Sequence, residues 1–122
     1  MILVNLHLTW PMVMAGTKTP EEATFYAWPL RPEDEDAFRH HSDAVLGILA
    51  GRVVTAYDIT GWRPETSAER DHERRAGLGR HYPRVVLEGI ESATWRYLID
   101  GPSPGMPFTQ WPVQYIDTGS LT

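Results

Sequence analysis

The chain has 122 residues, 42% apolar and thirteen aromatic, which predicts one domain with a sizeable core. Its net charge of −5 argues against indiscriminate duplex binding through a basic face. The absence of cysteine excludes a disulfide framework, a thiol nucleophile and a thiolate zinc site.

The opening MILVNLHLTW lacks a basic leader and carries Asn5 and His7, so it is not read as a signal peptide. No run approaches the ~18 apolar residues of a membrane span. A cytoplasmic chain with no membrane contact is expected. Alternation over residues 1–10 predicts a strand, with Ile2, Val4, Leu6, Leu8 and Trp10 toward the core and Pro11 ending it. Residues 12–18 read as a connection. A helix is then predicted from Thr19 to about Trp28. Thr19 suits the N-cap, Pro20 the first turn, and Glu22 the far corner of a capping box. Residues 30–43 are polar, with a helical turn expected at 35–41.

Residues 44–62, AVLGILAGRVVTAYDITGW, carry the clearest structural logic. An apolar segment, the turn Ala50-Gly51 and a β-branched segment predict a hairpin. Strand alternation would put Val53, Thr55, Tyr57 and Ile59 on one face and Val54, Ala56 and Asp58 on the other. Small residues at Gly47 and Ala56 leave room for something above the sheet. Residues 63–79 are highly charged and read as a long excursion, helical in part over 67–75. Strands are expected at 84–89, 94–99 and 112–117, with a turn-rich GPSPGMP loop at 101–107. About six strands and one or two short helices fit an α+β domain: a small mixed, mainly antiparallel β-barrel with helices at its rim.

Motifs for metal and hydrolase chemistry are weak. The five histidines show no metal-binding spacing, and no serine lies in a nucleophile elbow. No metal and no cofactor are expected. The aromatics and arginines are more informative. Trp10, Trp28, Trp62 and Trp111 stand beside or one residue from a proline, at element ends. With Tyr57 and the arginines Arg52, Arg63 and Arg96, rings at a barrel mouth could stack a base or hold a cation. Arg74, Arg75, Arg80 and Arg84 lie in a stretch that would add phosphate contacts.

The order of pieces resembles small PUA-like modules of the EVE and ASCH type. The residues that carry it are EEATFYAW, the hairpin ending in Gly61-Trp62, the segments RVVLEG and YLIDGPSP, and QWPVQYID. Trp111-Pro112-Val113-Gln114-Tyr115 matches the family's closing strand, with Trp where the family has Asn. GTKTPEEA echoes the ASCH signature, with Ala23 where that signature has Arg. The resemblance implies a mixed barrel with a pocket beside the first helix, and single-stranded or modified nucleic acid as partner. On it the chain is a non-catalytic module that reads an unpaired or modified base with Trp28, Arg52, Tyr57, Trp62, Arg63, Arg96 and Trp111. An alternative is hydrolysis of acylated cytidine-type nucleosides, with Lys18, Thr19 and Glu22 (or Glu21 or Glu88) as the catalytic group. A third is an accessory factor of phage or bacterial type, whose aromatics pack on a protein partner or a second copy.

Overall fold

The computed structural model of the chain describes residues 1–66 and 83–121. Among the described residues, six strands form one sheet: β1 (Ile2–Asn5), β2 (Trp28–Pro29), β3 (Ala44–Leu49), β4 (Arg52–Pro64), β5 (Arg84–Glu91) and β6 (Val113–Tyr115). Their spatial order is β2-β5-β4-β3-β1-β6. Every pairing is antiparallel except β1 with β3, which is parallel. The sheet curls into a nearly closed barrel, and short helices, three of them among the described residues, complete a small mixed α+β domain. They are α1 (Trp10–Met14), α2 (Pro20–Phe25) and α3 (Glu35–His41).

The hairpin forms as expected. Ala50 and Gly51 both take positive φ, 51° and 79°. Two left-handed residues in succession match the twist of the flanking strands. The alternation along β4 is interrupted, however. Gly47 pairs with Thr55, but Ile48 pairs with Val53, so Val54 is an extra residue in a bulge. Val53 therefore joins Ala56 on the outer face, while Tyr57 points into the barrel. The expected room above Gly47 is filled by the side chains of Leu6 and Thr55.

Two apolar clusters sandwich the central strands. Ile2, Val4, Val45, Tyr57, Leu87 and Val113 are among the residues that fill the barrel. Leu3, Leu46, Ile48, Val53 and Ala56 form the outer cluster with Trp95, and the chain beyond it adds Leu98, Ile99, Phe108 and Ile116. Burial of both faces of β1 explains its uninterrupted apolar run.

Three expected elements differ. The first strand stops at Asn5 instead of Trp10; Leu8 is exposed, and Pro11 sits in the first turn of α1. A proline lacks the donor that the first helical turn leaves unused, so it starts this helix. Residues 94–99 are not a strand. The Trp95 amide donates to Ser92 Oγ at 3.0 Å, and a 3-10 helix follows over Arg96–Leu98. The helix expected to reach Trp28 stops at Phe25, because Tyr26 turns extended. Trp28 and Pro29 then pair with Val85 and Arg84 as the short strand β2, which the sequence pattern does not announce.

The capping box of α2 is present. Glu22 N–H donates to Thr19 Oγ1 at 3.1 Å, and Thr19 N–H donates to Glu22 Oε1 at 3.2 Å. Buried Thr24 docks the helix on the sheet: its hydroxyl donates to Pro20 O at 2.8 Å and lies 2.8 Å from the Thr55 hydroxyl. The helical stretch expected at 67–75 lies outside the described residues.

Candidate functional site

Of the three rings proposed as stacking faces, two are buried and one is open. Trp28 is 7% exposed, and its Nε1–H donates to Thr24 O at 2.7 Å. Tyr57 is 5% exposed and meets Phe25 edge-on, with centroids 4.8 Å apart. Its phenol is pushed up to about 12, by burial first and then by Glu21 and Glu91. Both rings are core residues. Trp28 is drawn inward because α2 ends early and delivers it to the sheet instead of the rim. Trp62 alone is open, at 40%, and is braced edge-on by Phe38 at 5.2 Å.

The arginines separate as well. Arg52 and Arg63 stand at opposite ends of β4. Eleven steps at ~3.3 Å per residue put them roughly 35 Å apart along the strand, too far for one small ligand. Arg52 bridges to Pro102. Arg96 goes with the Arg52 end, since Asp100 N–H, just beyond its 3-10 helix, donates to Val53 O at 2.8 Å. At the other end, Arg63 pairs with Val86 across β5, and Glu65 N–H donates to Arg84 O at 2.9 Å. Arg84 Nη1 donates to Ala27 O at 2.8 Å. Trp62, Arg63 and Arg84 thus share one end of the β4–β5 pair. Arg74, Arg75 and Arg80 lie outside the described residues.

A second feature lies along β6. A cleft of about 540 Å³ is lined by Arg31, Asp34, residues 104–107, Thr109, Trp111 and residues 113–116. The Arg31 guanidinium lies 4.1 Å from the Trp111 ring centroid. The same side chain pairs with Asp34 at 2.7 Å and Glu33 at 3.2 Å. It spans from the end of β2 to the segment before β6, where the barrel is not closed by strand pairing. The Tyr115 phenol is pushed up to about 12, by burial first and then by Asp34, with Arg31 opposing. Of this cleft only Trp111 was singled out from the sequence. Arg31 and Asp34 have the i, i+3 spacing of an ion pair, but the adjacent acidic run PEDED reads more readily as a solvated knot.

The groups considered for hydrolysis form a helix cap. Thr19 and Glu22 are exposed and hydrogen-bond each other, and Lys18 Nζ lies 5.9 Å from the Tyr26 centroid. Glu88 is exposed on β5. His41 bonds Ala37 O within α3 at 2.7 Å through Nδ1, and its Nε2 fastens α3 to the segment after β6 through Asp117 Oδ1 at 2.9 Å. Among the described residues, no group of three or more His, Asp or Glu side chains is placed to hold a metal ion. No helix among them is long and apolar enough to cross a membrane. Comparison with family models, curated proteins and solved structures finds no match.

Proposed function

We propose that the chain is a non-catalytic, cytoplasmic module that binds a single nucleic-acid strand across the Trp62 end of the barrel. An unpaired or modified base would stack on the indole. The observation that supports this is the state of Trp62: an exposed ring on a paired strand, held edge-on by Phe38. A braced ring loses little freedom when a base stacks on it. Arg63 and Arg84 lie at the same end of the β4–β5 pair and would contact the phosphates of the strand as it runs past. The PUA-like resemblance of the sequence points to the same kind of ligand.

The test is a fluorescence-anisotropy titration with labelled twelve-nucleotide strands, unmodified and base-modified, beside the matching duplex. Single strands should bind better than duplex. Trp62→Ala should weaken binding about 5- to 100-fold, the range for loss of one stacked base. With roughly three to five phosphates contacted, the log–log salt slope should lie near −2 to −3.5. Binding by Trp62→Ala equal to wild type, or no binding to any strand at low salt, would overturn the proposal.

A further inference from the structure

We propose that the exposed edge of β6 is a docking site for an extended peptide of a partner protein, which adds as a further strand inside the cleft. The inference is independent of the nucleic-acid proposal. It concerns a different strand, separated from β4 by β3 and β1 in the sheet.

The hydrogen-bond phase of β6 carries the argument. Asn5 N–H donates to Pro112 O, and Ile116 N–H donates to Met1 O. The register between them pairs Leu3 with Gln114. Antiparallel pairs alternate between bonded and non-bonded, so positions 112, 114 and 116 face β1. Val113 and Tyr115 must then aim their N–H and C=O groups away from it. β6 is the last strand on its side of the sheet, and no hydrogen bond among the described residues engages those four groups. Residues 113–116 line the cleft, so these groups open into it.

The shape of the cleft selects the occupant. The edge is recessed between two walls. One wall is the 104–107 loop, held by Gln114 Nε2 donating to Met106 O at 2.8 Å. The other is Arg31 with Asp34. A second copy would present an equally recessed edge, and the two could not meet. A single extended chain can enter and satisfy all four groups, the mode in which backbone gives affinity and side pockets give selectivity. The exposed 76% of Met106, with Pro104 and Pro107, offers an apolar contact for alternate side chains. The Arg31 wall is acidic on balance, because Glu33 and Asp34 share the one guanidinium. The favoured partner is therefore an alternating apolar segment that carries a lysine or arginine.

The test uses a displayed library of random decapeptides selected against the immobilised protein, followed by N-methyl scanning of the enriched peptides. Strand addition predicts that methylating alternate amides weakens binding about 3- to 10-fold each, with the intervening amides nearly silent. Asp34→Asn should weaken lysine-bearing peptides and spare neutral ones. Amide hydrogen exchange supplies a readout that needs no mutation. The Gln114 amide should be protected with or without peptide, whereas Val113 and Tyr115 should exchange quickly alone and slowly in the complex. Four results would overturn the inference: no enriched peptide, no two-residue periodicity, protection of Val113 and Tyr115 in the free monomer, or a dimer in which those amides are protected.

Discussion

The buried hydroxyl pair between α2 and β4 allows a directional prediction. A threonine hydroxyl has one hydrogen to give. Thr24 gives its hydrogen to Pro20 O, so the Thr55 hydroxyl must donate to Thr24 across their 2.8 Å contact. The two positions are therefore unequal, although both are buried. Thr24→Val removes the bond to Pro20 and leaves the Thr55 hydroxyl with no acceptor. That combination should cost about 2–4 kcal/mol, one lost bond plus one stranded buried donor. Thr55→Val strands nothing, because Thr24 keeps its acceptor, and should cost about 0.5–1.5 kcal/mol. The double variant also strands no donor and should be more stable than Thr24→Val alone. Urea unfolding of the four proteins, followed by circular dichroism, measures the cycle. Equal costs at the two positions, or a double variant whose loss equals the sum of the singles, would refute the assigned donor order.

Two further outcomes follow from single features. Ala50→Asn should raise the midpoint of thermal unfolding by a few degrees, because Asn tolerates the left-handed φ of 51° that costs alanine about 1 kcal/mol, and Asn-Gly suits this turn; a fall would mean the turn is not limiting. In alkali, Tyr57 and Tyr115 hold their protons up to about 12 when folded, against 10.0 for the ordinary phenol. The folded state binds those protons more tightly, so their contribution is complete below pH ~10 and is lost as pH rises toward 12. Each is worth about 2–3 kcal/mol by linkage. Tyrosinate absorbance should lose one late-ionising group in Tyr57→Phe and another in Tyr115→Phe.

Local chemistry was legible in the sequence wherever a few adjacent residues decide the outcome. The Ala50-Gly51 turn, the Thr19/Glu22 box and the helix over residues 35–41 all belong to that class, and so does the barrel they build. What was not legible depended on partners far along the chain. TWRYLI alternates as a strand should, yet the Ser92 hydroxyl captures the Trp95 amide and starts a turn. The Val54 bulge leaves no mark in RVVTAYDI, but it decides which face Val53 occupies. The burial of two of the rings expected at the barrel mouth has a related reason. Trp28, Tyr57 and Trp62 each look available in a list of residues, and only packing distinguishes a core ring from a surface one. The β6 cleft was missed because its main feature is backbone phase, which no side chain reports.

The placement of β1 bears on the order in which the molecule can form. β1 lies between β3, to which it pairs in parallel across some forty residues, and β6, to which it pairs across more than a hundred. A ribosome releases these strands in sequence, so β1 must wait through the synthesis of the hairpin before it has any partner. Until residues 113–115 emerge, its second edge stays bare. Pairings this distant make folding slow and expose the nascent chain to wrong partners. Truncation just before β6 should therefore leave β1 as a sticky edge and increase aggregation during synthesis.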